Sequence, residues 1–171
     1  TNIVGTLQNN GAALVTGKIG QVLSATKTDV FTTTSTSYTD ITGITINITP
    51  AATSSKVLVT FSVTASTDTA DRVFGFQLVR GSTAIGAGGS SGSRSVGTVA
   101  GAVETKNTKM NSYSMNFLDS PSSTSALTYK LQTKAQTGGS NTVRINSNGG
   151  DQDAVYNFRT ISTITVMEVL A

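Results

Sequence analysis

The chain has 171 residues, a length that favours one domain with a sizeable core and would be cramped for two. Thirty Thr and 21 Ser make up almost a third of it, and charged residues only 12%, about half the usual share, so its surface must be built from hydroxyls and amides. With no His, Cys or Trp there is no imidazole base, thiolate nucleophile, Cys/His metal centre or disulfide, and a net charge of +3 from scattered cations makes no nucleic-acid-binding face.

Residues 1–26 read as an N-terminal arm. Gln8 to Gly11 has turn character, Gly17 and Gly20 interrupt a thinly apolar stretch, and Leu7, Leu14, Val15 and Ile19 are the candidate attachment residues. The opening Thr1 to Gly5 does not read as a secretory signal. No apolar run approaches the roughly 20 residues needed to span a bilayer, so membrane insertion is not expected.

From Asp29 onward, residues 27–171 read as a single all-β domain, because Val, Ile, Thr, Phe and Tyr dominate and apolar residues recur at every second position. Ile44, Ile46 and Ile48 share a face, and Pro50 ends that strand because it has no donor for a ladder. Val57, Val59, Phe61 and Val63 form the clearest half-buried strand. Phe74, Phe76 and Leu78 alternate with Val73, Gly75, Gln77 and Val79, a pattern that suits cover on both faces. Arg80-Gly81-Ser82-Thr83 predicts a hairpin into a short strand at Ala84-Ile85.

Residues 86–97 hold nine glycines and serines in close succession and predict a long exposed loop or a weak edge strand. Alternation returns with Tyr113, Met115 and Phe117, closed by turn residues 119–123, then with Leu127, Tyr129 and Leu131, and then with Val143 and Ile145 before Asn148-Gly149-Gly150-Asp151. The last strand, about 161–170, is apolar on both faces and belongs in the middle of a sheet or against a neighbouring subunit. Eight or more strands without a helix predict an antiparallel jelly-roll sandwich.

The chemical motifs fall away on inspection. The 86–97 loop lacks the G-x-G-x-x-G spacing and a following helix, and Gly11 with Gly17-Lys18 misses the P-loop by one residue and by Ile19 in place of Ser or Thr. Asp68 with Asp71, or Asp151 with Asp153, could offer oxygens to calcium, but two carboxylates in a turn more often bond their own backbone. Seven Asp and two Glu show no paired spacing for glycoside hydrolysis, and no G-x-S-x-G elbow serves a Ser nucleophile. No enzyme activity, cofactor or metal is expected.

The aromatic set Phe74, Phe76, Tyr113, Phe117 and Tyr129 is assigned to the sandwich core or to a subunit interface. The exposed loops expected to carry recognition contain Thr67, Asp68, Asp71, Ser90, Arg94, Lys106, Lys109, Asn148, Asp151 and Asp153. Tyr38 and Tyr156 are the aromatics left over for stacking on a sugar.

The runs Gly17 to Asp29, Phe31 to Gly43, Ile48 to Val59, Gln77 to Gly86, Met115 to Pro121 and Thr128 to Gln132, in that order, resemble short structural proteins of tailed phages of aquatic bacteria, of the cyanophage or pelagiphage type. The resemblance covers about 17–171. It implies a virion surface protein often described as a tail fibre, with a jelly roll like the tumour-necrosis-factor fold, assembled as a homotrimer, and it supplies no catalytic residues. The arm would then join another virion protein, in fibre, tail or capsid, and the loops would face host surface polysaccharide. Capsid decoration is the competing role within this class, and a soluble lectin is the alternative from another.

Overall fold

The computed structural model describes residues 8–9, 12–13, 18–103, 109–137 and 141–170. Among them there are thirteen strands and no helix: β1 Gln8–Asn9, β2 Ala12–Ala13, β3 Lys18–Lys27, β4 Phe31–Thr33, β5 Thr39–Ile48, β6 Lys56–Thr67, β7 Arg72–Arg80, β8 Thr83–Ile85, β9 Val99–Val103, β10 Asn111–Asp119, β11 Leu127–Ala135, β12 Val143–Ile145 and β13 Ser162–Leu170. The first two pair only with each other.

The period-2 stretches become strands because one set of side chains can leave water together. On β6 the inward Val57, Val59, Phe61, Val63 and Ala65 are all buried, while Lys56 and Ser62 are exposed. Each such Val or Phe contributes about 1.5–3 kcal/mol by burial. Phe74, Phe76 and Leu78 on β7 and Tyr129 and Leu131 on β11 face them from the second sheet. Phe74, Phe76 and Tyr113 form an aromatic triangle with ring centroids 5.3–5.6 Å apart, so the aromatic set serves as core: Phe74, Phe76 and Tyr129 are buried, and Tyr113 and Phe117 pack against them half-buried.

One sheet runs β3-β13-β6-β10, with β12 and β4 continuing it beyond the end of β13. The other runs β5-β11-β7, and β8 and β9 share the outer edge of β7. Taken in chain order, the antiparallel partners are nested: β3 with β13, β5 with β11, β6 with β10, β7 with β9. That nesting is the jelly roll, a long hairpin rolled so that alternate segments fall in opposite sheets. β13 lies between β3 and β6, where its two-faced apolar pattern placed it.

Two parts of the chain depart from the expectation. The stretch assigned to an arm contributes β3, which pairs with β13 from Lys18 to Lys27, so Ile19 belongs to a sheet edge, 52% exposed, and not to a free arm. Leu7, Leu14 and Val15 lie outside the described residues. The second departure is the strand after β7. It is split: Ile85 pairs with Leu78 and Val99 with Phe76, and residues 86–97 leave and return at one position of the ladder. Thr98 closes the gap, its N–H donating to Phe76 O at 2.7 Å and its hydroxyl accepting from Leu78 N at 2.9 Å.

Candidate functional site

The strand registers bring to one end of the sandwich the 28–38 and 68–71 connections, the end of β9 and the start of β10, and the described residues between β11 and β13. Most of the expected recognition residues sit there. Asp68 is half-buried and accepts from Arg144 Nε and, at 3.2 Å, from Arg144 Nη2 on β12. Burial works against its ionisation, but the Arg144 hydrogen bond and charge leave its carboxyl below the usual range. Asp71 and Asp153 are exposed, Asp151 is half-buried with a 3.0 Å ion pair to Arg159, and Lys109 is exposed. Lys106 lies outside the described residues. No group of three or more acidic side chains converges among the described residues.

Thr67 and Asn148, expected on exposed loops, are buried. The reason is a polar network that sequence periodicity does not show. Thr67 is still on β6, opposite Val143, and its hydroxyl donates to Thr69 O at 2.7 Å. Asn148 lies under the 149–160 segment and donates to the Asn157 side chain. At the centre stands Asn146, with a positive φ of 65° and no exposure. Its amide donates to Lys27 O at 2.9 Å and Asp29 O at 3.1 Å, and its side-chain oxygen accepts from Ser162 at 2.6 Å. Above this network, Val155, Tyr156, Phe158 and Ile161 are exposed.

Ser90 and Arg94 lie elsewhere, on the 86–97 excursion, and both are exposed. The neck of that excursion is closed by Gly88 N donating to Gly97 O at 3.1 Å. It folds over the outer face of the second sheet and encloses a half-open cleft of about 470 Å³. Tyr38 stands on the cleft floor. Its hydroxyl donates to Val96 O at 2.7 Å, and burial raises its pKa. Gly75 and Gly97 make this possible, since a Cβ at either would come within 2.9 Å and 2.5 Å of that hydroxyl. Lys134, directly across the ladder from Gly75, lies 5.2 Å from the Tyr38 ring centroid and donates to Ser95 Oγ at 2.9 Å. Sequence reading placed Arg94 on this loop but missed Lys134 and Gly75. An outward glycine opposite an outward lysine is the only sequence sign of it.

The outer face of the first sheet is different in kind. Three consecutive rows cross its four strands: Val22-Met167-Leu58-Leu118, Ser24-Thr165-Thr60-Asn116 and Thr26-Thr163-Ser62-Ser114. None of the twelve residues is charged. The apolar row has Val22 and Leu118 about half exposed at its two ends.

No protein-family model and no curated protein matches the chain. Three solved structures similar to it come from infectious bursal disease virus. The structure of the Gx strain has 11% identity and a TM-score of 0.44, covering 97% of this chain and 42% of that one. The Gt strain has 13% identity and a TM-score of 0.42, covering 99% and 43%. The VP2 subviral particle has 13% identity and a TM-score of 0.41, covering 94% and 39%. The chain thus spans about two-fifths of the length of these proteins. Its assignment as a jelly roll stands on its own strand order.

Proposed function

We propose that this chain is a non-enzymatic structural protein of a virion, of the tail-fibre type, that assembles as a homotrimer, joins another virion protein through its N-terminal residues and turns its loops toward host surface polysaccharide. The observation that carries this reading is the uncharged patch of three rows on the outer face of the first sheet, where an apolar row crosses all four strands. A face of this composition can be covered by another protein without burying unpaired charge, and a depletion of charge at its centre is what subunit interfaces share. The resemblance of residues 17–171 to phage surface proteins and the jelly-roll fold support the same reading.

The test has two parts. Electron microscopy of the particle should find the chain in a fibre or tail appendage; density on the capsid shell would reassign it to decoration. Light scattering should give three times the chain mass, and Leu58→Glu should reduce it to one by placing a charge at the centre of the apolar row. A wild-type monomer at micromolar concentration would overturn the trimer.

A further inference from the structure

We infer that the cleft between the 86–97 excursion and the outer face of the second sheet is a binding site for an acidic saccharide, one whose sugar rings carry carboxylate or sulfate groups. This deepens the proposed function and rests on it only for the biological source of the ligand. The cleft's volume, about 470 Å³, falls within the range of small-ligand sites. Its charge is unbalanced. Arg94 and Lys134 line it, and no acidic residue does.

The Lys134 ammonium has three donors, of which the structure uses one on Ser95. The Arg94 guanidinium has five, and its Nη1 alone is engaged, with Ser91 O at 3.3 Å and Ser91 Oγ at 3.1 Å. Both cations therefore retain donors for an anion, and the planar fork of Arg94 matches a carboxylate or sulfate edge. The hydroxyls of Ser93 and Ser95 and the amide of Gln136 line the same cleft, and these are groups that exchange hydrogen bonds with sugar hydroxyls. The Tyr38 ring supplies an apolar floor, fixed in place by its hydrogen bond to Val96. Two cations in one short cleft do not form the track that a phosphate backbone requires, which favours a sugar acid over nucleic acid.

The cleft is also pre-formed. The excursion is tied at its neck by Gly88 and Gly97 and at its far side by Lys134 to Ser95, so a ligand would not have to order the loop from a free state. Lys134 itself is mounted on a central strand rather than on a loop.

The experiment is titration calorimetry of the full chain with an oligogalacturonate, with a neutral oligogalactose of the same length and with a short single-stranded oligonucleotide. The oligogalacturonate should bind, the neutral sugar should bind at least about tenfold more weakly, and raising NaCl from about 50 to about 500 mM should weaken the acidic ligand's binding. Arg94→Gln and Lys134→Gln should each weaken it by roughly tenfold while the protein keeps a cooperative thermal transition, since Arg94 is exposed and Lys134 is half-buried with its ammonium on Ser95. Equal binding of the neutral sugar, tighter binding of the oligonucleotide, no binding of the oligogalacturonate, or affinity indifferent to both substitutions would overturn the site. Particle location and chain mass are measured independently, so the site can fail while the virion role stands.

Discussion

Tyr129 donates its hydroxyl to Asp119 Oδ2 at 2.6 Å in the sealed interior, and Arg80 Nη1 meets both oxygens of the same carboxylate at 2.8 and 2.6 Å. This joins three strands, β7, β10 and β11, drawn from both sheets. Burial, with the Asp119 hydrogen bond and charge, raises the Tyr129 pKa far above its ordinary value, which favours the protonated hydroxyl as donor. Tyr129→Phe removes one hydrogen bond to a charged acceptor and keeps the ring. We expect a loss of about 1.5–3 kcal/mol in urea unfolding, and an unchanged midpoint would show that Arg80 alone suffices for Asp119.

Gly101 faces Tyr113 so closely that a Cβ there would lie 2.3–2.5 Å from the ring atoms Cε1 and Cζ and from the hydroxyl. Gly101→Ala should therefore cost about 1–3 kcal/mol by overpacking. The clash involves ring carbons, so adding Tyr113→Phe should not relieve it, whereas adding Tyr113→Leu should give a clear favourable coupling in a double-mutant cycle. Additive melting temperatures for the Leu pair would contradict the contact.

Glu168 is a buried carboxylate whose partners are neutral: Ala51 N at 2.6 Å and Gln21 Nε2 at 2.8 Å. The Ala51 hydrogen bond, above all, lowers its pKa from the ordinary 4.5, and Asp68 is lowered as well. A carboxyl with a lowered folded pKa contributes stability that is fully present above its unfolded pKa and is lost as the pH falls through the folded value. Urea midpoints should therefore hold level from neutral pH to about 5 and decline below the unfolded carboxylate range of about 4. Glu168→Gln should lower the neutral plateau and flatten the acid decline; superimposable profiles would remove Glu168 from the account.

Asn146 ties the 28–30 segment, β6 and β13 to one residue, since its N–H also donates to Thr64 O at 3.0 Å and its carbonyl accepts from Thr160 N at 3.2 Å. Asn146→Gly keeps the left-handed backbone accessible and deletes only the side-chain bonds. We expect about 2–3 kcal/mol of destabilisation, with amide exchange rising first in residues 146–161 and in the 28–30 segment. Uniform acceleration across both sheets would show that this end has no separate opening.

The strands legible in the sequence are those whose inward positions are large and apolar without a break. β6, β7, β10 and β11 qualify, since Val57 to Val63, Phe74 to Leu78, Tyr113 to Phe117 and Leu127 to Leu131 alternate cleanly. β3 escaped because its inward side holds Gln21 and Lys27 beside only Leu23 and Ala25, and Gln21 is satisfied by Glu168, 147 residues away. β9 escaped because Val99-Ala100-Gly101-Ala102-Val103 is thinned by the space Tyr113 takes. The buried positions of Thr67 and Asn148 follow from hydrogen bonds between distant segments, which no local period encodes. The cleft was half legible: its loop was evident, its floor was not, because Tyr38, Gly75 and Lys134 meet only across the sheet.

The split strand separates two kinds of change. Because residues 86–97 depart and rejoin at a single ladder position, with Thr98 holding the seam, an insertion, deletion or replacement within them leaves every pairing partner of β7 where it was. Cargo can be grafted there without re-registering the barrel-like scaffold beneath. The same seam lets mutation rewrite one wall of the cleft, bearing Arg94, while the opposite wall, bearing Lys134, stays fixed to the sheet.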